Sequence, residues 1–163
     1  MNKVIALCGK VGSGKTFYAR QLMEKEAAVL FSNDELFYDL FPHSHPFRQQ
    51  EQMEAVNSYL MKKAAEVAGA GGTVILDWGF WTKKERAQLT EYFRVQDISV
   101  EWHYLSVSGE KWKDYVEKRN RAVLHADDGS SFYLSAEVLE RANRLFEAPG
   151  PEERMIVVDP RCP

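Results

Sequence analysis

Gly9-Lys-Val-Gly-Ser-Gly14-Lys15-Thr16 satisfies the pattern G-x-x-x-x-G-K-[ST] in full. It lies between a short apolar run, residues 3–7, and a stretch whose apolar positions Phe17, Leu22 and Met23 fall to one side of a helix. Strand, glycine turn and helix start in that order aim a set of backbone N–H groups at one point, in front of the positive end of the helix dipole. Glycine at these positions keeps side chains out of the way of an approaching anion. The stretch therefore predicts a polyphosphate cradle made of Gly9, Lys10, Val11, Gly12, Ser13, Gly14, Lys15 and Thr16. Lys15 is expected to bridge β- and γ-phosphate oxygens of a nucleoside triphosphate, and the Thr16 hydroxyl to take one position on Mg2+. The competing reading, a glycine-rich turn with a surface lysine, explains the glycines but not the flanking strand and helix.

Outward from the cradle, strand and helix patterns alternate. Residues 28–31 form a second buried-strand candidate, followed by Ser32-Asn-Asp-Glu35 in the form of a capping box that opens a helix. A helical stretch from about 47 to 68 stops at Gly69-Ala-Gly-Gly72. A third strand over 73–76 ends at Asp77, and a second capping box, Thr82-Lys-Lys-Glu85, starts a helix reaching about Arg94. A fourth strand over 98–107, a helix over 110–121, a polar loop over 122–134, a helix over 135–146 and a fifth strand over 155–158 complete the chain. Strands separated by helices predict parallel βαβ units, because a tight hairpin cannot reach a parallel neighbour. With 163 residues the expectation is one α/β domain covering the whole chain.

Composition narrows the setting. No apolar run approaches the roughly 18 residues needed to span a bilayer, and the N-terminus lacks a signal-type apolar core with a cleavage site, so a cytoplasmic protein is expected. A formal net charge of −3 disfavours nucleic acid as a partner, which usually needs a basic face. Cys8 and Cys162 have no Cys or His at metal-ligand spacing and read as free thiols.

In open parallel sheets ligands bind beyond the carboxyl ends of the strands, which singles out Asp34 and Asp77. Asp34 is a candidate to accept the proton of an attacking hydroxyl, set against simple stabilisation of a helix start. Asp77 is a candidate magnesium ligand, set against a strand-ending turn residue. Trp78, Phe80 and Trp81 crowd the same edge, as core or as a pocket wall. On the helix over 110–121, the apolar stripe Trp112, Tyr115, Val116 continues to Arg119, an arginine suited to closing over transferring phosphate; the alternatives are a pairing with Glu110 or Glu117, or capping of helix carbonyls. The polar loop over 122–134, with Asp127-Asp128-Gly129, reads as a lid that excludes water or as an idle surface loop. His43-Ser44-His45 lacks a third metal ligand and fits a turn in an acceptor-binding lobe, and Lys83, Lys84 and Arg86 oppose a helix dipole, through an anionic ligand or as a solvated face.

Taken in order, Gly9 to Thr16, Ser32-Asn-Asp-Glu35, Val74-Ile-Leu-Asp-Trp-Gly-Phe80, Val116-Glu-Lys-Arg-Asn120 and Phe146-Glu-Ala-Pro149 resemble the AAA-type predicted P-loop kinases. These are similar to the branch holding polynucleotide kinase, chloramphenicol phosphotransferase and the zeta toxins. The resemblance covers nearly the whole chain. It implies a three-layer sandwich with a five-stranded parallel sheet in the order 2-3-1-4-5, an acceptor lobe over about 33–70 and a helical lid over about 110–146. It also implies ATP with Mg2+ as the cofactor pair and transfer of the γ-phosphate to a hydroxyl of a small molecule. Asp34 would be the general base or a ligand of the acceptor hydroxyl, Arg119 a lid arginine, and Asn120, Phe146 and Pro149 part of the adenine environment. Polynucleotide kinases place an arginine a few residues after the base. Here Glu35-Leu-Phe-Tyr38 stands in that place, which favours a small hydroxylated acceptor over a polynucleotide 5′-hydroxyl. A nucleotide-dependent switch with no acceptor is the remaining alternative.

Overall fold

A computed structural model of the chain describes residues 3–44, 49–107, 109–126 and 132–159. Five strands form one sheet: β1 (Lys3–Cys8), β2 (Val29–Ser32), β3 (Thr73–Gly79), β4 (Ser99–Leu105) and β5 (Ile156–Val158). The order is β2-β3-β1-β4-β5 and all pairings are parallel, as predicted. The helices are α1 (Lys15–Glu26), α2 (Asn33–Leu40), α3 (Gln50–Gly69), α4 (Lys83–Arg94), α5 (Gly109–Ala126) and α6 (Ala136–Leu145), with a 3-10 turn at Pro151–Glu153.

The central strands carry unbroken apolar runs, Val4 to Cys8 in β1 and Val74 to Leu76 in β3, because both faces are covered there. Alternate side chains of β1 serve opposite layers. Val4, Ala6 and Cys8 join Ala64 and Ala68 of α3 and Leu89 and Phe93 of α4. Ile5 and Leu7 join Ala19 and Leu22 of α1 on the other face. A satellite core of Phe37, Tyr38, Val56 and Leu60 holds α2 against α3.

Register sets what meets at the carboxyl edge. Ser32 lies opposite Asp77, and Cys8 lies opposite Gly79 after a register shift in which β3 carries one extra residue. The Gly9 N–H then donates to the Gly79 carbonyl at 3.0 Å, so the glycine turn leaves β1 beside the end of β3. Thr82 and Glu85 form a full capping box; at α2 the Ser32 hydroxyl accepts from the Glu35 N–H at 3.3 Å.

Element ends moved in places. β3 runs on to Gly79, and β4 stops at Leu105, short of the expected 107. The expected loop after residue 121 begins as helix, since α5 continues to Ala126. Residues 127–129, His45 and Cys162 lie outside the described residues. Among the described residues no helix is long and apolar enough to cross a membrane, and no group of His, Cys, Asp and Glu is arranged to hold a metal by itself.

Candidate active site

A cleft of about 1550 Å³ opens at the carboxyl edge of the sheet, walled by the glycine turn, α1, α2, α3, the end of β3 and α5. A smaller depression of about 380 Å³, between α3 and Tyr92 of α4, adjoins it through Glu54, Asn57 and Met61 and is lined by none of Lys15, Asp34, Asp77 and Arg119.

The turn that begins the cleft depends on two left-handed glycines, Gly12 at φ +74° and Gly14 at φ +88°, where other residues are strained. A methyl at Gly12 would also stand 2.8 Å from Val116 of α5. Lys15 is half-buried by surface but sits on the cleft floor with protein around it. Its ammonium donates to the Gly9 carbonyl at 3.0 Å and the Lys10 carbonyl at 2.7 Å. Burial pushes its pKa down, against the attraction of Asp77 and Asp34.

Asp77 is buried, and the Thr16 hydroxyl donates to its Oδ2 at 2.8 Å. Burial raises the Asp77 pKa, opposed by Lys15 and by that hydroxyl. Asp34 is solvent-exposed, yet into the cleft, with protein close on several sides. Loss of bulk solvent and the negative charge of Asp77 raise its pKa, while Lys15 and Arg119 act to lower it. Thus Lys15, Asp34, Asp77 and Arg119, scattered along the sequence, sense one another across one cleft.

Arg119 lies on the inner face of α5 beside the apolar stripe. Its Nη1 donates to the Phe132 carbonyl at 3.2 Å and its guanidinium sits 5.3 Å from the centre of the Phe132 ring. Burial lowers its pKa, against the pull of Asp34 and Tyr38. Arg121, two residues on and so on another face of the helix, pairs with Glu117 at 3.4 Å. Asn120 is buried and makes a reciprocal pair of hydrogen bonds with one residue: Nδ2 donates to the Leu134 carbonyl at 3.0 Å, and Oδ1 accepts from the Leu134 N–H at 2.8 Å. The strap over 132–135 is thereby tied to α5. Phe146 stacks on Tyr104, with ring centres 6.2 Å apart. The Lys10 ammonium stands 5.4 Å from the Trp112 ring and 6.0 Å from that of Phe146, so one aromatic wall flanks the glycine turn. Trp112 also donates to the Val11 carbonyl at 2.9 Å, and Pro149 is half-buried a few residues beyond Phe146.

Trp78 and Phe80 serve both readings of the aromatic cluster, since they stack at 5.4 Å within the core and also line the cleft. Two of the three cations at the start of α4, Lys83 and Arg86, have protein partners. Arg86 is buried and pairs with Glu153 at 2.6 and 2.9 Å, and Lys83 pairs with Glu152 at 2.5 Å. Among the cleft residues that escaped the sequence reading are Arg20, one helical turn after Thr16; Tyr38, one turn after Asp34; and Asn57, whose Oδ1 accepts from Asn33 Nδ2 at 2.9 Å. The first two were recoverable from helical period alone. Asn57 was not, because it arrives on α3.

Residues 4–149 match the model of the AAA domain family. The chain belongs to that family. A comparison with curated proteins finds no match. Among solved structures, a sugar kinase from a Janibacter species has a TM-score of 0.67 at 23% identity, over 99% of this chain and 86% of that one. A gluconokinase from Sinorhizobium meliloti has a TM-score of 0.69 at 15% identity, over 99% and 85%. Kti12 from Chaetomium thermophilum, solved with ADP-AlF3, has a TM-score of 0.69 at 20% identity, over 96% and 88%. At these identities the likeness establishes a shared P-loop, kinase-like fold.

Proposed function

We propose that this AAA-family protein is an ATP- and magnesium-dependent phosphotransferase that moves the γ-phosphate to a hydroxyl of a small molecule. One observation carries the reading: Asp77 of β3 holds the Thr16 hydroxyl, and Asp34, in the first turn of α2 just beyond the strand residue paired with Asp77, lines the same cleft as Lys15 at the mouth of the glycine turn. A turn that only reversed the chain would need neither carboxylate.

The residues suit the two groups the reaction requires. A side chain at Gly9 would meet Ser13 Oγ at 2.8 Å and one at Gly12 would meet Val116, so the turn has no room for a side chain at either position. Thr16 Oγ1 and Asp77 Oδ2 are adjacent hard oxygen donors, the kind Mg2+ selects. When bound there, the ion would neutralise charge on the phosphate oxygens. Phe146, Pro149 and Trp112 form a wall for the adenine. Asn120, bonded to Leu134, supports this assembly by holding the strap that carries Phe132.

In the reaction, Lys15 and Arg119 hold oxygens of the transferring phosphoryl group and offset its charge. Asp34 takes the proton of the acceptor hydroxyl as that oxygen bonds to the γ-phosphorus and the bond to the β-phosphate oxygen breaks, releasing ADP. A raised pKa makes Asp34 a better base than an ordinary carboxylate, and the region of α5, the 132–135 strap and α6 acts as the lid that keeps water from competing. The lobe over about 33–70 receives the acceptor. The test is incubation with ATP, Mg2+ and a metabolite extract, followed by mass spectrometry. A species that gains one phosphate with native protein and not with Lys15→Ala is expected. ATP bound with no phosphorylated product, together with unchanged ATP hydrolysis in Asp34→Asn, would favour a nucleotide switch instead.

A further inference from the structure

The charges of the cleft are sorted by element. Lys15 and Arg20 of α1, Lys118 and Arg119 of α5 and Arg141 of α6 line the side that meets the glycine turn. The opposite side, from α2 and α3, presents Asp34, Glu35, Asp39 and Glu54, and among the described residues between 32 and 61 that line the cleft there is no lysine or arginine. A ligand seated between them meets cations at its phosphate end and carboxylates at the other. A second phosphate or a carboxylate on the acceptor would be placed against like charge, an arrangement that costs affinity.

Within that acidic lobe one polar group stands out. The Tyr38 side chain lines the cleft, is only 7% exposed, and its hydroxyl has no hydrogen-bond partner among the described residues. It follows Asp34 by one helical turn, which places the two on the same face of α2. Its electrostatic neighbours are Asp34 and Arg119, the two groups nearest the chemistry. Phe132, held under Arg119, covers it with ring centres 6.4 Å apart. Buried hydroxyls are normally satisfied, and this one is costly to the fold unless a ligand uses it. Trp78 Nε1, a donor that also lacks a partner among the described residues, lies in the aromatic wall of the same lobe. Two donors, a row of carboxylates, the Asn33–Asn57 amide pair and aromatic faces are the recognition set of a molecule that is mostly hydroxyl groups.

We propose that the α2–α3 lobe binds an acceptor without anionic groups, an uncharged polyol, and that the Tyr38 hydroxyl orients it by donating to the oxygen next to the one that Asp34 deprotonates. This rests on the phosphotransferase reading above. The specificity follows from physics on both counts: hydroxyls satisfy Tyr38 and the carboxylates at once, and an acid or sugar phosphate leaves them opposed to negative charge.

The experiment gives the native protein ATP, Mg2+ and a panel of free pentoses, hexoses, glycerol and inositol beside the monophosphates and aldonic acids of the same skeletons, with the metabolite extract run in parallel. Product is read by mass spectrometry, then kinetics are compared for Tyr38→Phe. Transfer to an uncharged polyol is expected, with a roughly five- to tenfold higher KM for it in the variant and a KM for ATP that moves less than twofold. Thermal melting of Tyr38→Phe without ligand should be unchanged or higher, since only an unsatisfied hydroxyl is lost; a fold defect would lower it. Transfer confined to anionic acceptors, in the panel or the extract, overturns the inference and leaves the phosphotransferase reading standing. No phosphorylated product from panel or extract overturns both. An unchanged polyol KM in Tyr38→Phe removes Tyr38 from the site.

Discussion

Glu153→Gln should destabilise the protein through an arginine more than sixty residues away. Arg86 is 2% exposed and Glu153 13% exposed by side chain, and they meet through two short hydrogen bonds of 2.6 and 2.9 Å. Arg86 Nη1 also donates to the Phe80 carbonyl at 3.1 Å, bracing the turn that follows β3 and so the rim of the cleft. Without the Glu153 charge, a guanidinium remains buried with a carbonyl and the Cys8 sulfur, at 4.0 Å, as its other polar contacts. Breaking a buried pair from one side costs about 3–5 kcal/mol, and the partial exposure of Glu153 argues for about 3. For a chain of this size that lowers the melting temperature by roughly 6–12 °C. The arginine holds the Glu153 pKa below its ordinary value, so the contribution is present above the unfolded carboxylate pKa and is lost as pH falls through the folded one. The assay is thermal and urea denaturation of Glu153→Gln, of Arg86→Met and of the double variant, at neutral and acid pH. The double variant should recover much of the loss, because no charge is left buried. A shift under about 2 °C in Glu153→Gln, or a double variant no better than the single, would refute the reasoning. Glu152→Gln, which breaks the exposed pair with Lys83, is the control and should melt like the native protein.

Asp34→Asn should lower kcat by a factor of about 10² to 10⁴ while leaving ATP affinity within a few-fold, measured by product formation and calorimetry. Because the Asp34 pKa is raised, native kcat/KM should climb with pH through a value above the ordinary carboxylate range; folding favours its protonated form, so at neutral pH Asp34→Asn should melt no lower than the native protein. Gly12→Ala should abolish detectable nucleotide binding by calorimetry with a modest loss of stability, since φ +74° and the contact with Val116 both distort the turn. Asn120→Ala leaves the Leu134 N–H and carbonyl unsatisfied and should cost about 1–3 kcal/mol, with faster proteolysis close to residues 132–135.

Local rules carried much of the fold. The Thr82–Glu85 box, the stop after Gly69 and the strand runs are decided within a few residues, and they formed as expected. Period placed Arg119 on the buried face of α5, but its partner Phe132 lies beyond the end of that helix, and nothing in the spacing points to it. The same holds for Asn120, whose amide is matched to the Leu134 backbone rather than left open to a base. Lys83 and Arg86 resisted the reading for a related reason: their counterions, Glu152 and Glu153, come from the far end of the chain.

The sequence by itself determined the glycine turn, with its lysine and threonine, and the alternation that forces a parallel sheet, because each depends on backbone freedom and apolar period over a dozen residues or fewer. Only the tertiary structure decided which distant groups share the cleft. The parallel register that sets Ser32 against Asp77 brings Asp34 beside it, and the packing of α2 on α3 buries Tyr38 between an acidic lobe and the phosphate side. Such meetings are fixed by long-range burial, which pairs surfaces rather than sequence neighbours, so no local pattern encodes them.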